Sequence, residues 1–190
     1  MHLGFDISTA CTGICLMDHD GNVIKIDYIS FKKCENLWEK ADFLRDFILS
    51  FLNEDEMKSI TGVFVEENLQ VFRRGLSSAR TLMTLAKFNG IVCYILRQIF
   101  EINPISINVN EARKSVGLKI ISQKRGGKPT KEQVIEWVSL SLNKTGYVWP
   151  TKTLKSGPRQ GQVILLPECA DMADAFVISE AARHLYTSHC

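Results

Sequence analysis

A short apolar run near the middle of the chain constrains the fold more than any other feature. Residues 62–65, Gly-Val-Phe-Val, contain no polar side chain and end at two acids, Glu66 and Glu67. Fully apolar runs of this length are typical of strands that run parallel to their neighbours and are buried on both faces. The run therefore predicts a sheet with helices packed against both of its sides.

The order of the other elements predicts how this sheet is built. Alternating or apolar runs predict strands at 3–8, 13–17, 23–29, 62–65 and 105–109. Apolar residues at helical spacing predict helices at 37–52, about 76–100, 110–116, 130–142 and 168–186. The first three strands form an antiparallel meander, and the later strands alternate with helices. This order is typical of an α/β fold with a mixed five-stranded sheet.

Local signals refine the helix ends and faces. Asn110 is the expected N-cap of the short helix, and residues 130–133, Thr-Lys-Glu-Gln, have the form of a capping box. The apolar stripe of the first helix consists of Trp38, Ala41, Leu44, Ile48 and Phe51. The segments 122–129 and 143–167 contain breakers and no periodicity, so we expect them to be irregular.

The composition predicts a globular protein that forms a single domain, residues 1–190, and works inside a cell. Hydrophobic residues make up 45% and charged residues 23% of the sequence, and no apolar run approaches the roughly 20 residues that cross a bilayer. The first residues lack the basic and apolar parts of a secretory signal. Six cysteines occur without a Cys-x-x-Cys pair, so we expect reduced structural thiols rather than a zinc site.

Four acids are placed where they could carry chemistry. Asp6 interrupts an apolar strand, and an unpaired buried carboxylate is unfavourable unless a cation offsets its charge. Glu66 ends the central apolar strand, where open α/β sheets gather their ligands. Asp171 and Asp174 are three residues apart on the last helix and share one face. Carboxylates of this kind favour Mg²⁺ or Mn²⁺ over zinc, and two such ions can activate water and stabilise a leaving oxygen.

Basic residues are concentrated in two segments. The first has no acid between its ends and contains Arg113, Lys114, Lys119, Lys124, Arg125, Lys128 and Lys131. The second contains Lys152, Lys155 and Arg159. Both segments suit a nucleic acid backbone, although a solvated surface would also explain them.

These motifs together resemble the RuvC-like Holliday-junction resolvases of the RNase H-like superfamily. The resemblance rests on residues 3–8, Leu-Gly-Phe-Asp-Ile-Ser, with Thr12-Gly13, on Val63 to Glu66, and on residues 170–175, Ala-Asp-Met-Ala-Asp-Ala. It implies an RNase H-like fold and a metal-binding, catalytic role for Asp6, Glu66, Asp171 and Asp174. It also implies a homodimer that cuts opposed strands of a four-way DNA junction with Mg²⁺, for which Mn²⁺ could substitute.

The chain departs from the bacterial members of this family in two places. The stretch after Glu66 and the segment 143–167 both look longer, which suggests a phage or viral branch and the cytoplasm of a bacterium or infected host cell. We expect Phe72, Arg73 and Arg74 to lie near the centre of the DNA junction. Phe72 would then stack on an unpaired base; the alternative is that it packs into the protein's own core. Surplus apolar positions in the helix at 76–100 are candidates for the subunit contact.

Other functions remain open on the sequence alone. The motif around Asp6, with Thr12-Gly13, also resembles the first phosphate loop of actin-like sugar kinases, but these need two such domains and a longer chain. The same fold could bind nucleic acid without cutting it, although all four acids are present. A nuclease specific for flaps or RNA–DNA hybrids would use the same metal-binding residues.

Overall fold

The computed structural model describes residues 1–67 and 79–186. Its main sheet has five strands in the order β3-β2-β1-β4-β5, and a separate two-stranded sheet pairs β6 with β7. The strands are β1 (His2–Ile7), β2 (Cys11–Met17), β3 (Val23–Ser30), β4 (Gly62–Glu66), β5 (Ile105–Ile107), β6 (Thr151–Thr153) and β7 (Val163–Leu165). The helices are α1 (Leu37–Phe51), α2 (Glu54–Lys58), α3 (Ala79–Phe100), α4 (Val109–Ser115), α5 (Thr130–Leu142) and α6 (Cys169–Tyr186).

Pairing in the main sheet confirms the predicted mixed α/β fold. β1, β2 and β3 form the antiparallel meander, whereas β4 runs parallel to β1 and β5 runs parallel to β4. The middle of β4, residues 63–65, is buried, as its apolar sequence predicts. Because β1 is the partner of both β2 and β4, Asp6 lies near the carboxyl end of the central strand.

The two faces of the sheet carry separate apolar cores, which confirms that helices cover both sides. On one face α1 and α3 contribute Leu44, Ile48, Phe88 and Val92 to a core with Leu3, Phe5 and Ile14. On the other face α6 lies next to the sheet, and α4 and α5 pack on it through residues such as Ala112, Val134 and Val138. None of the helices within the described ranges is long and apolar enough to cross a membrane.

Helix α6 lies unusually close to the sheet because two strand glycines face it. A Cβ atom at Gly13 would be 2.0 Å from the backbone oxygen of Asp171, and one at Gly4 would be 2.5 Å from Ser179 Oγ. The small residues of α6, Ala170, Ala173 and Ala175, are all buried. The close packing therefore depends on small residues in both the helix and the strands.

Two predicted helix caps are wrong, although the predicted start of α5 is confirmed. Asn108, not Asn110, is the N-cap of α4, and its side chain accepts a hydrogen bond from the backbone N–H of Asn110. Thr130 lies inside α5 and forms no capping box, because Pro129 occupies the cap position without a side-chain hydrogen bond. The side chain of Gln133, instead of reaching back to the helix start, bonds to the backbone of Ile121 and Lys128.

Three further differences concern two short elements and one exposed side chain. The segment 143–167 is not wholly irregular, because it contains the β6–β7 hairpin. Helix α2, which has only five residues, is not predicted by the sequence pattern. The helical spacing predicts Trp38 on the apolar face of α1, but its exposed fraction is 70%. It is offset by one position from the buried stripe that contains Ala41, Leu44 and Ile48.

Candidate active site

The four acids come from three elements that meet at one edge of the main sheet. Phe5 pairs with Val65 in the parallel β1–β4 ladder, so Asp6 and Glu66 occupy neighbouring positions at the carboxyl ends of these strands. Asp6 also faces Gly13 across the β1–β2 ladder. Since Gly13 is in contact with the backbone of Asp171, the start of α6 lies directly over Asp6.

Burial and neighbouring charges make Asp6, Glu66 and Asp174 unusually weak acids. Burial, followed by the charges of Glu66, Asp174 and Asp171, raises the pKa of Asp6 well above its ordinary value. Burial and Asp174 raise the pKa of Glu66 to about 7, although Arg113 opposes the shift. Burial also raises the pKa of Asp174, against the effect of the same guanidinium. These acids are therefore close enough to disfavour each other's ionised forms, which a bound cation would relieve.

Two basic side chains pair with the acids of α6. Arg113 Nη2 of α4 lies 3.2 Å from Asp174 Oδ1, and Lys131 Nζ of α5 lies 3.7 Å from Asp171 Oδ1. The first pair is largely buried, since only 19% of the Arg113 side chain and 14% of the Asp174 side chain are exposed. Arg113 Nε is buried and has no hydrogen-bond partner among the residues described. The sequence pattern predicts Arg113 in a basic surface segment, whereas the structure places it among the acids.

The acids fit a hard divalent cation by their chemistry, but they do not converge on one point as they stand. Within the described part of the chain, no three His, Cys, Asp or Glu side chains are arranged to hold one metal ion. Asp174 and Asp171 turn instead towards Arg113 and Lys131. Carboxylate oxygens are the ligands that Mg²⁺ and Mn²⁺ favour, so binding would require the α6 acids to leave these cations.

Glu67 does not share the surroundings of Glu66. Its backbone N–H donates to the Ile107 carbonyl, and its Oε2 accepts a hydrogen bond from Asn108 Nδ2 at 3.0 Å. Consecutive residues at the end of a strand point to opposite sides. Glu67 therefore lies against the junction of β5 and α4, away from Asp6.

The residues predicted to bind DNA do not form one group. Lys114, Lys119, Lys124, Arg125, Lys155 and Arg159 are exposed. Lys128 is also exposed, but it forms an ion pair with Glu136. Phe72, Arg73 and Arg74 lie outside the described residues. The sequence pattern does not reveal which basic residues pair with the α6 acids, although an acid-free basic segment is itself a signal that its ionic partners are distant in sequence.

Comparison with known proteins identifies the fold. No protein-family model matches the chain, and no curated protein sequence matches it significantly. Among solved structures, Thermus thermophilus RuvC in complex with a Holliday junction substrate superposes with a TM-score of 0.60 at 14% identity, over 98% of this chain and 96% of RuvC. The chain has the RuvC fold.

Two further solved structures agree with this assignment. Another structure of T. thermophilus RuvC gives a TM-score of 0.55 at 14% identity, over 95% of this chain and 93% of RuvC. The yeast mitochondrial Holliday junction resolvase Ydc2 gives 0.50 at 15% identity, over 96% of this chain and 77% of Ydc2. The RuvC likeness thus extends over nearly the whole chain, including the strands and the helix that carry the four acids.

Proposed function

We propose that the chain is a divalent-metal-dependent endonuclease that resolves four-way DNA junctions by paired incision of opposed strands, as a crossover junction endodeoxyribonuclease. The observation that carries the proposal is the group of buried, mutually repelling acids at the carboxyl edge of a RuvC fold. Burying several carboxylates together is unfavourable unless a cation binds them, so their placement at one edge calls for a function. T. thermophilus RuvC, which has this fold, was solved with a Holliday junction substrate.

In this proposal Asp6, Glu66, Asp171 and Asp174 are the metal-binding and catalytic residues. Bound Mg²⁺ or Mn²⁺ would activate the attacking water and stabilise charge on the leaving oxygen of the phosphodiester. Arg113 and Lys131 hold the α6 carboxylates in place and offset their charge when no metal is bound. Once the acids have turned to a metal ion, both cations lie where they can attract a phosphate to this edge.

The exposed basic residues would bind the rest of the DNA. Lys119, Lys124 and Arg125 lie on the connection between α4 and α5, whose helices contribute Arg113 and Lys131 to the site. Lys155 and Arg159 lie on the connection between β6 and β7, just before α6. Every residue of β6 is exposed, and isolated two-stranded hairpins are only marginally stable, so a DNA backbone would be a suitable partner for this one.

Reversing charge on the α4–α5 connection is expected to weaken DNA binding and its dependence on salt. The slope of log affinity against log salt is negative. Lys124→Glu and Arg125→Glu should each make it shallower by about 0.9 for every phosphate that the variant no longer neutralises. Lys128 is a poorer choice, because Glu136 already pairs with it. Junction binding measured by fluorescence anisotropy at several salt concentrations tests this. Lys58→Glu on α2 is the control, since α2 lies near Met1 at the opposite edge of the sheet. An unchanged slope would mean that Lys124 and Arg125 only solvate the surface.

A homodimer would present one active site to each of two opposed strands. The apolar positions of α3 that could exceed the needs of its own core, Leu82, Leu85, Ile91 and Ile95, are half-buried, whereas Ile99 packs against the core. Met83 and Tyr94 of the same helix are 62% and 61% exposed, and a separation of about three turns places them on one side. We propose this side of α3 as part of the subunit contact, which sedimentation at micromolar concentration tests directly.

The raised pKa values predict a dependence of stability on pH that a metal ion should reverse. Glu66 has its pKa raised from an ordinary 4.5 to about 7 by burial and by Asp174, and Asp6 is shifted in the same direction. Between these pH values the folded chain holds a proton that the unfolded chain has released, so stability falls as pH rises. The slope is about 1.4 kcal/mol per pH unit for each such carboxylate.

The melting temperature of the metal-free protein should therefore fall between pH 5 and pH 7.5. Mg²⁺ binds the deprotonated acids, so it should raise the melting temperature more at pH 7.5 than at pH 5. Asp6→Asn should reduce both effects. If Mg²⁺ raises the melting temperature equally at the two pH values, these acids do not form the metal site.

One experiment tests the proposed function itself. The purified protein is offered equal amounts of four-way junction, flap, linear duplex and RNA–DNA hybrid with Mg²⁺. Paired nicks at symmetric positions in the junction, with little cleavage of the other substrates, are expected. If flaps or hybrids are cleaved preferentially, the nuclease activity in the proposal stands and its proposed substrate is wrong. Binding of the junction without any cleavage, with Mg²⁺ or Mn²⁺, would overturn the enzymatic proposal.

A further inference from the structure

Trp38 is a large aromatic side chain that the core does not use. It lies in the first turn of α1, and 70% of it is exposed. The residues one and two turns further along the same face, Asp42 and Arg45, are charged and exposed. Protein-binding surfaces normally show a contiguous apolar patch, which is missing around Trp38 on this helix. Its exposure therefore indicates a flat partner that one ring can contact alone.

Contacts on both sides of Trp38 place it at the same edge of the sheet as the acids. Lys40 Nζ donates to the Thr9 carbonyl at 2.6 Å, and Thr9 lies in the turn that follows β1, three residues after Asp6. Lys32 Nζ lies 2.6 Å from Glu168 Oε1, three residues before Asp171. Since β3, which leads into α1, runs parallel to β1 two strands away, the start of α1 lies at the carboxyl edge of the sheet, on the face opposite α6.

The backbone that carries Trp38 is held in place. The side chain of Asn36 accepts hydrogen bonds from the backbone N–H groups of Trp38 at 2.9 Å and Glu39 at 3.0 Å. Asn36 Nδ2 in turn donates to Glu39 Oε1. A rigid backbone reduces the entropic penalty when the indole ring is immobilised by a ligand. The ring is thus exposed but presented from a fixed position.

The charges near Trp38 are compatible with nucleic acid. Lys32, Lys33 and Lys40 lie within this stretch, together with Glu35 and Glu39. The Glu39 carboxylate is already engaged by the Asn36 side chain and by the Glu35 backbone N–H. Lys33 is exposed and lies between the strand end and the helix. Although Lys32 is paired with Glu168 and Lys40 with the Thr9 carbonyl, Lys33 adds an exposed cation near the aromatic ring, a combination that single-stranded nucleic acid binds.

We infer that Trp38 is a stacking platform for an unpaired base of the DNA substrate, at the edge of the sheet that carries the acids. The inference rests on the proposed function and adds a substrate-positioning residue to it. Trp38 and the acids lie at the same edge of the sheet, so a branched DNA that covers this edge can reach both. Bases at a branch point are less constrained by stacking than those in a duplex, so the contact would favour branched substrates.

Binding measurements in the non-cleaving Asp6→Asn background test this inference. A four-way junction carries one abasic nucleotide, moved stepwise along the strand near the cleavage position. Trp38→Ala should weaken binding of the intact junction about 5-fold or more. At one position of the abasic nucleotide, the Asp6→Asn protein should bind the abasic junction as weakly as Asp6→Asn with Trp38→Ala binds the intact junction. On that abasic junction Trp38→Ala should weaken binding no further, because both changes remove the same contact. Trp38→Phe should retain most of the affinity.

Leu49→Ala is the matched control, because Leu49 is exposed near the far end of the same helix. It should leave affinity unchanged, and equal melting temperatures for all variants show that folding is intact. Additive effects at every abasic position, or an unchanged affinity in Trp38→Ala, overturn the stacking inference. If the wild-type chain cuts junctions normally in that case, the proposed function stands without it. If neither the wild type nor Asp6→Asn binds junctions, the proposed function fails and the inference with it.

Discussion

Asp6→Asn, Glu66→Gln and Asp174→Asn are each expected to reduce cleavage about 100-fold or more. In the proposed mechanism, each substitution removes one charged oxygen ligand of a divalent ion near the scissile phosphate. Binding to the junction should survive, because exposed basic residues provide most of the affinity for a phosphate backbone. Cleavage rates with Mg²⁺ and junction affinity, measured on the same preparations, separate these two effects.

The metal-free stability of these variants distinguishes loss of a ligand from loss of the fold. Burial and neighbouring acids raise the pKa of Asp6, so this carboxyl lowers the stability of the metal-free protein at pH values above its ordinary pKa. Asp6→Asn should therefore melt at a higher temperature than the wild type without metal. Glu67→Gln is the control at the same strand end, and we expect it to retain most activity. If Glu67→Gln is inactive and Glu66→Gln is active, then Glu67 and not Glu66 belongs to the site.

Gly13→Ala is expected to impair both stability and cleavage, although Gly13 has no side chain to contribute to catalysis. The added Cβ would lie 2.0 Å from the backbone oxygen and 2.4 Å from the backbone carbon of Asp171. Both contacts are with backbone atoms, so the start of α6 must move by about 1 Å or more to restore ordinary van der Waals distances. Overpacking of this kind typically costs about 1–3 kcal/mol.

The same movement would separate Asp171 and Asp174 from Asp6, and a misplacement of about 1 Å can lower a rate about 100-fold. Gly90→Ala on α3 is the control for the stability of the monomer, since nothing lies within 4 Å of its added Cβ among the residues described, and sedimentation shows whether it disturbs the proposed subunit contact beside Tyr94. In a helix this change should be neutral or stabilising by up to about 1 kcal/mol. Thermal melting and cleavage rates measure both variants. Wild-type values for Gly13→Ala would show that α6 does not rest on β2 at this point.

Much of the fold follows from local sequence because its elements have clear periods. The apolar residues of β4 and the alternation along β3 are local patterns, and they correctly predict a parallel centre with an antiparallel meander beside it. Short elements are predicted less well. The three-residue strands β6 and β7 and the five-residue helix α2 contain too few residues to show any period.

The faces and ends of helices depend partly on distant residues, which local patterns cannot reveal. Trp38 is one helical position away from the buried stripe of α1, and only the packing of that helix on the sheet decides that its ring is exposed. Thr130 and Gln133 match a capping box in sequence. The backbone of Ile121 is a better partner for Gln133 because the tertiary structure brings the α4–α5 connection beside it.

For the candidate site, the sequence by itself determined which acids are present and that each would be unfavourable to bury alone. Asp6 in an apolar strand and Glu66 at the end of another predict their positions, because strand ends and sheet edges follow from local pattern. Only the tertiary structure decided that Arg113 and Lys131 lie among these acids and not on the outer surface. Coulombic interactions act between residues that are close in space, and Arg113 is 61 residues from Asp174 along the chain.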